Sequence, residues 1–112
     1  MYPHRGKATV SINNQTDIDF ANVRILLVDD EPFIRKLIAR LLFDNGFKQV
    51  TDAENGLKAI KAIKQSKLKF DFIICDLEMP EVNGLEFLKI IRKTPELNSV
   101  DTPVIILTGH SD

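Results

Sequence analysis

Three carboxylates stand directly behind two apolar runs of this chain. Asp29 and Asp30 follow Val23, Ile25, Leu26, Leu27 and Val28, and Asp76 follows Phe72, Ile73, Ile74 and Cys75. Neither run alternates apolar with polar residues, which is how strands buried on both faces of a parallel sheet read. Ligands of open α/β sheets sit beyond the carboxyl ends of the strands, where the connections part to opposite faces. Carboxylates gathered there repel one another in a partly desolvated cleft, so the cluster is favourable only with a hard divalent cation among them. Magnesium fits best, and the arrangement is a cation site that also holds a nucleophile.

Regular elements must position these acids. A strand is expected over residues 23–28 and a helix over 32–45, with Phe33, Ile34, Leu37, Ile38, Leu41 and Leu42 on one apolar stripe. Pro32 suits the first turn, where no amide donor is needed, and Gly46 can end the helix in the left-handed conformation. Residues 47–52 lead into a second strand. Residues 55–67 read as a helix with Leu57, Ile60 and Ile63 inward and Lys58, Lys61, Lys64 and Lys67 outward, a row that reads first as a solvated face. The third strand is expected at 70–75, the third helix at 84–93 and the fourth strand at 103–107. Strands alternating with amphipathic helices build βαβ units, and right-handed crossovers put helices on both faces of a parallel sheet. The fold class is α/β.

Residues 1–22 are polar and mixed, and read as an N-terminal extension. Within them Thr9 to Ile12 alternates as a short strand would, and residues 13–16 read as loop.

With 112 residues and 44% hydrophobic content, the chain supplies one core. A formal net charge of −1 offers no basic field for nucleic acid, so no nucleic-acid contact is expected. The lone Cys75 lies inside an expected buried strand and reads as a small hydrophobe. His4 and His110 lack supporting ligands and argue for no metal site; His110 follows Thr108 by two residues and is expected to modulate access to the acid cluster. No apolar stretch approaches the span of a bilayer, and no secretion signal is visible, so a cytoplasmic location is expected.

In four ordered signatures the chain resembles the receiver domain of two-component response regulators. These are Asp29 and Asp30 behind the first strand, Asp76 leading into Leu77, Glu78, Met79 and Pro80, Asn83 and Gly84 opening the third helix, and Thr108 closing the fourth strand. The resemblance implies a flavodoxin-like doubly wound parallel sheet with strand order 2-1-3-4, a receiver domain over residues 23–112, and no enzyme activity of its own. It implies that Asp76 is the phosphoacceptor, that Asp30 ligates magnesium directly and Asp29 mainly through water, and that the Glu78 backbone carbonyl is a further ligand. Thr108 would supply the switch hydroxyl, and the partner would be a histidine kinase or a histidine phosphotransfer protein. The chemistry is consistent with this, because a carboxylate attacks phosphorus competently once a cation offsets the repulsion between oxygens. Asp29 and Asp30 also suit the positive end of the following helix dipole, but that role leaves Asp76 without one.

Receivers have a fifth strand ending in a lysine, whereas this chain has no lysine after Lys93. The expectation is a C-terminally incomplete receiver, a fragment of a longer protein, whose residues Val104 to Leu107 form an open edge that invites a homodimer. The competing reading is a pseudo-receiver, an interaction module without a phosphorylation switch. A haloacid-dehalogenase-type phosphatase needs a second Asp two residues after its nucleophile on the first strand; here those positions hold Glu31 and Pro32.

Overall fold

The computed structural model describes residues 19–108 throughout, and the backbone of residues 9–12 and 16–18. Elements run β1 (Thr9–Ile12), β2 (Thr16–Asp19), β3 (Arg24–Val28), α1 (Pro32–Asp44), β4 (Gln49–Ala53), α2 (Gly56–Gln65), β5 (Phe72–Asp76), α3 (Gly84–Lys93) and β6 (Val104–Leu107), with short 3-10 turns at Phe20–Asn22 and Pro95–Leu97. The main sheet is parallel, in the order β4-β3-β5-β6. Counted from β3, that is the expected order 2-1-3-4.

Alternate residues of the central strands feed two cores. Leu26, Val28, Ile73 and Cys75 face α2 and α3 and pack with Ala59, Ile63, Phe87 and Ile91. Ile25, Leu27 and Ile74 face the other way, against Ile38, Ala39 and Leu42 of α1. Both faces of β3 and β5 are therefore apolar, as the unbroken hydrophobic runs require.

The helices begin where their caps dictate. The Asn55 side chain accepts from the Lys58 amide at 2.8 Å, and Asn83 and Glu86 form a reciprocal capping box at 2.9 and 3.0 Å. Pro32 occupies the first turn of α1, and Gly46 follows that helix with φ 102°.

Several boundaries and faces differ from expectation. The stripe on α1 splits into two lines. Ile38 and Leu42 reach the sheet, while Phe33, Leu37 and Leu41 are 75%, 45% and 52% exposed. Only one line of a helix lying on one face of the sheet can touch it, and nothing among the described residues covers the other. Leu57 was expected inward and is likewise exposed. Asp76 falls inside the third strand of the parallel sheet, which starts at Phe72 and not at residue 70, and Asn55 is a cap and not a helical residue.

The strand expected at Thr9 to Ile12 forms, paired antiparallel with β2, so Thr16 is strand and not loop. Residues 13–15 lie outside the described residues, as do His4 and His110. The turn after β2 is tied to the parallel sheet: Phe20 stacks on Phe47 with ring centroids 4.5 Å apart, and Gln49 donates to the Ala21 carbonyl at 3.0 Å.

Candidate functional site

Asp29 is the first residue beyond β3, and its amide donates to the Ala53 carbonyl at the end of β4 at 3.1 Å. Asp76 is the last residue of the neighbouring β5. Because Val28 and Cys75 are register partners, the two strands end level and deliver both acids to one point. Asp29, Asp30 and Asp76 each offer a carboxylate oxygen, and these oxygens all lie within 4.8 Å of one another.

Local hydrogen bonds orient the side chains. Asp29 Oδ1 accepts from the Glu31 amide at 2.9 Å, and Asp76 Oδ1 accepts from the Glu78 amide at 3.2 Å. Both are bonds to a backbone N–H two residues on, the Asx-turn arrangement in which a carboxylate shapes the loop that follows it. Asp29 is fully buried, Asp76 is 1% exposed and Asp30 is half-buried.

A buried acid left without a donor is costly. The Oδ2 atom of Asp29 is buried with no hydrogen-bond partner among the described residues. A hard cation would satisfy that oxygen and cancel the mutual repulsion, and an all-oxygen donor set is the chemistry magnesium takes. The three aspartates therefore fit a divalent cation.

Glu78 is exposed, two residues past Asp76, and its amide is bonded to the Asp76 carboxylate. Leu107 is the register partner of Asp76, and the Leu77 amide donates to its carbonyl at 3.0 Å, so the exposed Thr108 leaves the sheet on the strand beside Asp76. Between β5 and α3 the chain makes a γ-turn of the rare hand: Val82 donates to Pro80 at 2.8 Å, across Glu81 with φ 68°. Cys75, immediately before Asp76, is fully buried, and its thiol is pushed up to about 12 by burial first and by the charges of Asp76 and Asp29 second.

One residue at this site escaped the pattern reading. Arg35, on the first turns of α1, donates to the Asp29 main-chain carbonyl at 2.9 Å and to Asp52 at 3.1 Å. Its signal was a single cation six positions past Asp29, indistinguishable in sequence from any polar helix residue. Gly84 was legible at the opening of the third helix, but its close approach to the Asp76 main chain was not.

An acid cluster at the carboxyl ends of adjacent central strands, in a flavodoxin-like parallel sheet with helices on both faces, defines the class. The chain belongs to the response regulator receiver domain family, whose model matches residues 25–112. It is 37% identical over 90 residues to the chemotaxis protein CheY-3 of Vibrio cholerae, covering 80% of this chain and 66% of that one. Over 74 residues it is 42% identical to the chemotaxis protein CheY of Listeria monocytogenes, covering 65% and 60%. The chain thus spans less than two thirds of the length of these relatives. Among solved structures it resembles the receiver domain of the histidine kinase CKI1 from Arabidopsis thaliana, complexed with Mg2+ and BeF3−, at TM-score 0.70 and 32% identity over 80% of this chain and 68% of that one. It is therefore a receiver domain of the kind found in two-component systems. No helix among the described residues is long and apolar enough to cross a membrane.

Proposed function

We propose that this domain accepts a phosphoryl group on Asp76, with magnesium held by Asp29, Asp30, Asp76 and the Glu78 main-chain carbonyl, and that the donor is a phosphohistidine on a histidine kinase or a histidine phosphotransfer protein. The observation that carries the reading is the convergence of three carboxylates within 4.8 Å, with the buried Asp29 Oδ2 lacking a donor among the described residues. The likeness to a receiver domain crystallised with Mg2+ and BeF3− supports it.

In the transfer, an Asp76 oxygen bonds to phosphorus as the phosphorus–nitrogen bond of the donor breaks. The imidazole nitrogen keeps the electron pair and takes a proton from water. Because an ionised carboxylate attacks, no general base is needed, and positioning plus charge stabilisation suffice. A magnesium ion held by Asp29, Asp30 and Asp76 would supply the positive charge that lets phosphoryl oxygens approach these acids. The Glu78 amide orients Asp76, and Thr108 supplies a hydroxyl to the phosphoryl oxygens, coupling the added charge to the end of β6.

On this reading residues 23–112 carry the receiver and residues 1–22 an extension, the domain works in the cytoplasm, and it signals by changing its surface. Intact-mass spectrometry after incubation with magnesium and a small phosphodonor tests it. A single phosphoryl adduct, labile in base and absent from Asp76→Asn, is expected. No adduct on protein shown to be folded by circular dichroism sinks the reading and leaves an interaction module. Asp76→Asn also removes a repelling charge from the cluster, so in magnesium-free buffer it is expected to be about 1 kcal/mol more stable than the parent by urea unfolding.

A further inference from the structure

One peptide unit, that joining Asp29 to Asp30, carries two of the three acids of the cluster. Both flanking residues offer oxygens to the cluster, so a tilt of this plane moves both at once. Its surroundings on β4 are specific. The Asp29 N–H, in the preceding peptide unit, is held by the Ala53 carbonyl at 3.1 Å, and the Asp29 carbonyl, in this unit, is held by Arg35 Nη1 at 2.9 Å. The same guanidinium donates through Nε to Asp52 Oδ2 at 3.1 Å, and Asp52 is the residue before Ala53. Asp29 is thus bracketed at both ends by consecutive residues of one strand, directly at its N–H and through Arg35 at its C=O.

Arg35 is built for that duty. Its side chain is only 14% exposed, against 53% for Asp52, and its own amide is fixed by the Glu31 carbonyl at 2.9 Å. A planar fork with fixed donors can hold two acceptors in one geometry, which a flexible ammonium cannot. Glu54, which also feels the Arg35 charge, is engaged by Lys58 at 2.8 Å, so Asp52 is the carboxylate that Arg35 grips.

We infer that Arg35 is a positioning residue for the cation site, setting the Asp29–Asp30 peptide so that both side chains reach the cation held with Asp76. The inference rests on the reading of the three aspartates as a cation site. Outer-shell groups of this kind typically change metal affinity by 10- to 100-fold.

Electrostatics alone makes the opposite prediction, which renders the test decisive. Removing a positive charge beside a cation site tightens binding when that charge is a bystander. Binding of Mn2+ to the full chain is followed by the loss of the free-ion electron paramagnetic resonance signal, with circular dichroism verifying that each variant is folded at the temperature used. Arg35→Met is expected to weaken Mn2+ binding by roughly tenfold despite the lost positive charge. Arg35→Lys, which keeps the charge and reaches one acceptor, is expected to fall between the two. Unchanged or tighter binding in Arg35→Met overturns the inference. Should that variant not fold, Arg35→Lys decides: weakening of about twofold or more supports positioning, and parental affinity overturns it. A parent chain that takes up no Mn2+ overturns the cation-site reading itself and the inference with it, an outcome separate from failure of the variants.

Discussion

Gly84 and Asp76 sit so close that a Cβ built on the glycine would lie 2.5 Å from the Asp76 main-chain carbonyl oxygen and 2.9 Å from the Leu77 Cα. The Gly84 amide donates to the Leu77 carbonyl at 2.9 Å, so the first residue of α3 is fastened to the loop that leaves the candidate phosphoacceptor. The obstructing atoms are backbone at the end of a buried strand, and they have little freedom to yield.

Gly84→Ala tests that contact. Alanine is the better helix former by about 1 kcal/mol, so propensity alone predicts a stabilised protein. Forced overlap in a packed site costs about 1–3 kcal/mol and is expected to win. The urea midpoint of Gly84→Ala should fall below that of the parent; a rise would show that the backbone yields without cost.

Cys75 provides a pH signature. Its folded-state thiol is raised to about 12 from an ordinary value near 9. Below the ordinary value both folded and unfolded chains keep the proton, so the contribution is fully present. Above it the unfolded chain ionises first, and stability falls as pH rises toward the folded value. Cys75→Ala loses packing but also loses this slope. The stability gap between parent and variant, measured by urea unfolding from about pH 8 to pH 10.5, should therefore narrow as pH rises. A constant gap would refute the assignment of a suppressed thiol. Maleimide labelling of the parent near pH 8 should be slow and should accelerate in urea.

The β6 edge provides the third test. Ile105 is 49% exposed on the last strand of the sheet, on the face that α1 flanks with Phe33, Leu37 and Leu41 outward. Unpaired edge strands bearing apolar side chains invite pairing with another chain. Sedimentation velocity on the 112-residue chain is expected to show association that grows with concentration, and Ile105→Lys is expected to reduce it. A parent that stays monomeric at all concentrations would remove the expected homodimer.

How much was legible follows from how local each signal is. The apolar runs behind Asp29 and Asp76 contain their own evidence of burial, because a strand covered on both faces has no solvent side to mark with polar residues. The caps Asn55 and Asn83 act on amides only three residues away, yet Asn55 reads in sequence as the first helical residue, because a cap and a first turn differ only in backbone conformation. Leu37 and Ile38 are different. Both are apolar and adjacent, and which one meets the sheet depends on the angle at which α1 lies on β3 and β4, a property of the packed sheet.

By itself the sequence determined the α/β class, the alternation of elements, and the placement of three acids at strand ends, since all of these follow from residue type and short-range spacing. Only the tertiary structure decided that those acids converge within 4.8 Å, that Phe33 and Leu57 face solvent, and that Arg35 joins Asp29 to Asp52. Those facts depend on strand register and helix docking, which bring together residues distant in sequence: Asp76 lies 47 positions from Asp29, and Asp52 lies 17 from Arg35. A periodicity of two or of 3.6 residues reports which way a side chain points from its own element, and carries nothing about what stands opposite it.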